Sequence, residues 1–251
     1  MASPIGRLRL PGRMLCGPLQ VRCFAGSDSD FLTASAVTDV ARLGGAIAAR
    51  VRQAGSTSIR CIGPKAAYKS IKSIVCASDF LSRDPDAPED SFLGVAVSEN
   101  KKAPSGNAGS EAQGNEMLLR VRPVHLPADA FRKKIKAASD SHPERSMDLL
   151  IGATTQPGKA AAAMAGALRP MGGSHGKYPL IRGIGTAAVH RALVSARLAQ
   201  TYLDNDGRGV RFLVVPSFEQ EPSTQTGSGY QNQLVMRLVR WKGTDDGTTK
   251  E

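Results

Sequence analysis

The chain has 251 residues, 33 Lys and Arg against 22 Asp and Glu, a formal charge of +11 and a pI near 9.8. With 41% hydrophobic and 5% aromatic residues it is too apolar for a disordered chain, and it lacks the roughly 20 uninterrupted apolar residues of a spanning helix, which argues against membrane insertion. The charge attracts polyanions, with nucleic acid first and anionic membrane surfaces second.

Residues 1–27 hold Arg7, Arg9, Arg13 and Arg22, small residues, scattered Leu and Val, and no acid. That pattern reads as an organellar targeting peptide; an ordinary basic tail is the bland alternative. Val21-Arg22-Cys23-Phe24-Ala25-Gly26 resembles a mitochondrial processing site, cut near Phe24 or Ala25. Mitochondrion is the expected compartment and plastid the alternative. Without those four arginines the stated +11 falls to about +7, still basic.

The next segment, residues 28–124, reads as one unit. An apolar strand over Leu32–Ala36 leads into a helix over Asp39–Gln53, which Thr38 or Asp39 can cap and Gly55 can stop. A second strand at Ile59–Ile62 ends in Ile-Gly and opens a helix whose apolar positions, Ala67, Ile71, Ile74 and Val75, leave Lys65, Lys69 and Lys72 for other faces. Cys61 and Cys76 show neither CxxC spacing nor clustered His, so they read as small buried residues and not as a zinc site or disulfide. Two strands follow, Phe92–Val97 and Met117–Val121, around a polar loop from Ser98 to Gly114.

Residues 125–147 read as a connector, in which Phe131-Arg132-Lys133-Lys134-Ile135-Lys136 is either a short basic helix or solvated linker. The same order then returns over residues 148–242. A strand at Leu149–Ala153 precedes a helix over Gly158–Arg169, with Thr155 as the expected cap and Gly172-Gly173 as the stop. A strand at Leu180–Gly183 ends in Ile184-Gly185 and opens a helix with Ala188, Leu193 and Ala196 on its apolar face and His190, Arg191 and Arg197 elsewhere. Strands at Val210–Val215 and Leu234–Val239 enclose an acidic-to-neutral loop from Glu219 to Gln231, and a polar tail occupies residues 243–251. The order β-α-β-α-β-β appearing twice is the mark of an internal duplication. Runs such as Gly44-Gly45-Ala46 and Ala160-Ala161-Ala162-Ala163 are read as small residues that let a helix approach its neighbours closely.

The alanine-rich first helix, the strand ending in Ile-Gly and the Ala-containing helix after it resemble the stage V sporulation protein S family, of the Alba-like group, over roughly residues 31–124 and 148–241. The expected fold class is therefore α/β, of the α+β sandwich type, with two tandem Alba-like β-α-β-α-β-β domains. The resemblance implies binding to RNA or DNA and pairing of domains, so two fused copies raise an intramolecular pseudo-dimer. In Alba-like proteins the contacts come from the loop entering the second helix, the neighbouring first loop and the hairpin arms. Carried over by position, these regions supply Arg60, Lys65, Lys69, Lys101 and Lys102 in the first copy and Lys159, Arg182, His190 and Arg191 in the second. For any one of them the bland reading is a solvated cation. Tyr68 reads as a stacking platform or a cover for the core edge, and Trp241 as a cap on a core or on an interface between copies.

No nucleophile elbow, HExxH, P-loop or dinucleotide fingerprint is visible, so no enzyme, metal or cofactor is expected. Gly183-Ile184-Gly185 reads as a tight strand-to-helix turn, with the cradling of a backbone phosphate by its amides as the alternative. The expectation is a mitochondrial, non-enzymatic RNA-binding protein that holds backbone phosphates, since so few aromatic residues argue against base-by-base readout. The alternatives are a structural subunit of an organellar ribosome or RNA-processing complex, working through protein contacts, and an organellar DNA-packaging protein.

Overall fold

A computed structural model describes residues 31–85, 91–99, 116–126, 148–169, 179–222 and 230–241. The expected targeting peptide, most of the connector, the polar tail, Lys101 and Lys102 lie outside the described residues. The chain forms β1 (Phe31–Ala34), α1 (Val40–Ala54), β2 (Thr57–Ile62), α2 (Pro64–Leu81), β3 (Ser91–Glu99) and β4 (Glu116–His125), followed by β5 (Asp148–Ile151), α3 (Pro157–Leu168), β6 (Leu180–Gly183), α4 (Thr186–Asn205), β7 (Arg211–Pro222) and β8 (Tyr230–Trp241). The order is β-α-β-α-β-β in each half.

All eight strands join in one sheet, in the order β1-β2-β4-β3-β7-β8-β6-β5. Within a half, the first two strands run parallel because a helix returns the chain to the same end, and the last two form an antiparallel hairpin. The halves meet where β3 pairs antiparallel with β7, with Val95 opposite Val214. These two valines are equivalent. Cys61 of β2 pairs with Met117 of β4 as Gly183 of β6 pairs with Leu234 of β8, and along the same strands Val95 pairs with Val121 as Val214 pairs with Leu238. A local two-fold axis therefore runs through the β3–β7 contact, as it does in an isologous dimer.

Alternation along the strands buries one face under the helices. Ile59, Cys61, Val95, Leu119 and Val121 from the first half and Ile181, Val214, Met236 and Leu238 from the second share a single core with Ile47, Ile71, Ile74, Met164 and Leu193 of the helices. The helices form one layer, α2 against α1, α4 against α3, and α2 against α4 across the middle. Among the described residues no helix is long and apolar enough to cross a membrane.

The helix ends follow local chemistry, with two departures from expectation. Asp39 caps α1 by accepting from the Arg42 amide at 2.8 Å, and Gly55 closes it in the left-handed region at φ 70°. Thr155 does not cap α3. Gln156 holds the cap position without a side-chain bond, and the Thr155 hydroxyl instead accepts from the Gly152 amide at 2.9 Å. Helix α3 also stops at Leu168, ahead of the expected glycines, because Arg169 precedes Pro170 and is extended at ψ 144°. The hairpin strands outrun their apolar cores. Ser98 belongs to β3, and β7 continues through Glu219, which pairs with Gln233, to Pro222 opposite Tyr230. Cross-strand hydrogen bonds carry the ladder on through polar residues that hydropathy assigns to a loop. At the other end β4 runs to His125, and buried Leu126 packs with Val215 and Val239 on the face away from the helices.

Gly44 shows what the small residues accomplish. A Cβ there would stand 3.1 Å from the Cys76 Cβ and from the Ser73 carbonyl oxygen of α2, whereas Gly166 of α3 has open space around it. Gly166→Ala should thus stabilise the protein by about 0.5–1 kcal/mol through helix propensity, and Gly44→Ala should destabilise it by about 1–3 kcal/mol through overpacking. Urea unfolding of the two variants checks the opposite signs.

Candidate nucleic-acid interface

The predicted cations fall into two groups. Arg60 and Arg182 occupy the same position in β2 and β6 and point to the sheet face away from the helices. Arg60 pairs with Glu116, its Nη2 lying 3.1 Å from Oε2. The Arg182 Nε lies 2.9 Å from Asp148, and its Nη1 is 3.4 Å from the Gln233 amide oxygen and 3.6 Å from Glu219. Glu219 also accepts from buried Arg237 at 3.0 Å. These guanidiniums are held by carboxylates of neighbouring strands, so their charge is largely matched within the sheet.

The second group stands where helices begin. In each half, two parallel strands end side by side and each opens a helix, so two helix N-termini share one end of the half. Both Ile-Gly turns are built alike, with Gly63 at φ 81° and Gly185 at φ 87°, a region that favours glycine. No first turn among the four helices of the described residues carries an acid, although Asp39 caps α1. The unsatisfied amides and aligned peptide dipoles there favour anions.

The same side chains brace both ends. Lys69 Nζ donates to the Thr38 carbonyl at 2.7 Å, and at the equivalent place Arg191 Nη1 donates to the Thr155 carbonyl at 3.0 Å. Thr38 and Thr155 each close the loop below by accepting the amide of Ser35 or Gly152. A cation from the second helix thus ties down the loop that opens the first. Lys65 in the first half and Lys159 in the second are exposed. Arg42, exposed in the first turn of α1, was not among the expected residues. The repeat contained the signal, since Arg42 and Lys159 are each the third residue of their helix.

The structure does not bring all of these residues to one surface. Because β3 and β7 are antiparallel, β2 and β6 run in opposite directions. Arg42, Lys65 and Lys69 consequently lie at one end of the sheet, and Lys159, His190 and Arg191 at the opposite end.

Tyr68 packs on the core edge with the Lys72 ammonium 5.3 Å from its ring centre, and Lys72 also lies 5.7 Å from the ring of Phe218 in the other half. Trp241 stacks under Arg122, which reaches over from the first half to 4.1 Å. Burial pushes the Cys61 thiol up to about 11, as suits a packing residue. No three His, Cys, Asp or Glu gather in metal-binding geometry among the described residues.

This arrangement agrees with what the chain resembles. Residues 30–86 match the family model of Stage V sporulation protein S (SpoVS). The matched span covers β1, α1, β2 and α2 and includes Arg42, Lys65 and Lys69. The first half is thus similar to the SpoVS family over these elements, and the second half shares its element order, register and bracing contacts. No curated protein matches the chain.

His190, at the α4 end, has its pKa held below 6.5, first by burial and then by Arg191. The unfolded chain therefore takes up a proton as pH falls through 6.5, before the folded chain does, and stability should decline across that window. Asp84 and Asp206, lowered by hydrogen bonds from Arg52 and Arg169, stay ionised in it. Denaturant unfolding at pH 7.5 and 5.5 should show the decline, and His190→Gln should reduce it.

Proposed function

We propose that the chain is a non-enzymatic RNA-binding protein that holds backbone phosphates at the two helix-rich ends of its sheet. One observation carries this reading: each half gathers two helix N-termini with no acid in their first turns beside exposed cations, Arg42 and Lys65 at one end and Lys159 at the other. Amides, peptide dipoles and flexible ammonium groups bind phosphate oxygens without reading bases, which suits a chain with 5% aromatic residues. The match to the SpoVS family over residues 30–86 supports the same assignment. Arg60 and Arg182 of the open sheet face have strand carboxylates as partners and are assigned to stability.

A mitochondrial setting is part of the proposal. It rests on the four arginines and absent acids of residues 1–27, and import followed by sequencing of the mature N-terminus tests it.

Binding of a labelled single-stranded RNA and a duplex DNA, followed by anisotropy at several salt concentrations, tests the ligand. Affinity should fall steeply with salt. Lys65→Glu with Lys159→Glu should weaken binding and lower the slope of log K against log salt by about one for each phosphate that is no longer neutralised. Arg60→Gln should reduce stability more than affinity. Tighter binding to duplex DNA would favour the packaging role. Binding indifferent to salt would sink the phosphate-binding mechanism and favour a protein-contacting subunit acting through edge strands β1 and β5, where Phe31 and Leu150 are exposed.

A further inference from the structure

In a true two-fold dimer, a residue beside the axis meets its own copy. Here the axis passes between Val95 and Val214, and the residues just before them, Gly94 and Leu213, are equivalent and face the sheet side away from the helices. They are not alike. A Cβ on Gly94 would lie 3.1 Å from both the Cβ and the Cδ1 of Leu213, which is fully buried. One half provides a side chain and the other provides the space for it.

The same inequality recurs nearby. Arg122 of β4 and Val239 of β8 are equivalent, as are Val124 and Trp241, by the shared register of the two hairpins. Arg122 stacks on Trp241, and Phe92, Val124 and Leu126 from the first half pack with Val215 and Val239 from the second. Pairing like with like would remove this stacking and packing. Two second halves would bring two leucines together with Cβ atoms near 3.1 Å, tighter than ordinary contact, and two first halves would leave a void where Leu213 now sits.

We propose that the β3–β7 seam accepts only unlike halves, so that the chain closes on itself and neither exchanges halves with a second copy nor pairs with one through these strands. This specificity concerns the seam and is independent of the ligand bound at the helix ends.

Two measurements on the full chain test it. The first is an unfolding cycle of Gly94→Ala and Leu213→Gly, with the cross-linking measurement deciding should the glycine variant not fold. Gly94→Ala should lower the folding equilibrium constant at least tenfold more beside Leu213 than beside the truncated residue. Equal losses in the two backgrounds would overturn the proposal, because Val124, whose Cγ2 would be 2.6 Å from the added Cβ, is present in both. The second uses Val95→Cys with Val214→Cys, whose Cα atoms as an opposed antiparallel pair fall in disulfide range. Oxidised protein on a denaturing, non-reducing gel should be cross-linked within one 26.5 kDa chain. A covalent dimer absent from the wild type under the same oxidation would show the seam forming between copies and overturn the proposal.

Discussion

The contact between Val95 and Val214 is the constraint on which the other features depend. Pairing β3 with β7 turns two four-stranded sheets into one of eight strands and brings α2 against α4 above the join. Small local domains bury too little apolar surface to be robust alone, and the join supplies a common core that draws residues from all four helices. The antiparallel sense of that pairing also sets the direction of every outer strand, and with it the end of the sheet at which each pair of helices begins.

The proposed function turns on where charge is left unmatched. On the open sheet face two arginines have strand carboxylates as partners, Arg60 with Glu116 and Arg182 with Asp148 and Glu219. Such pairs organise the strands and offer little net field. At the helix ends the same kind of side chain acts differently. Lys69 and Arg191 are held by backbone carbonyls, which orient the cation without cancelling its charge. That contrast separates bracing cations from matched ones in a chain whose overall excess of positive charge does not distinguish them.

The two halves are alike where they fold and unlike where they meet. Arg52 clamps Asp84 through two hydrogen bonds of 2.8 Å, and Arg169 clamps Asp206 in the same way at 2.7 and 3.1 Å. Each clamp ties the end of the first helix to the turn after the second, so it is local to its half and compatible with any pairing. Gly94 and Leu213 differ because their surroundings include the other half, where identical residues would clash or leave a gap.

Much of this was legible in the amino-acid order. The four helices, the eight strands, the Ile-Gly turns and the repetition of the whole set follow from periodicity and glycine placement, which are local properties. Legibility failed where a polar residue sits in a strand, as with Glu219, or where a threonine has two possible partners, as Thr155 does, because the choice rests on how the chain closes around that residue. The sequence by itself determined which residues form each half and that the halves repeat. Only the tertiary structure decided that Arg60 and Arg182 are neutralised, that Arg42 joins Lys65 and Lys69, and that the two positive ends face opposite ways. Those outcomes depend on strand direction and cross-strand partners, which arise when β3 meets β7 and are written in no single segment of the chain.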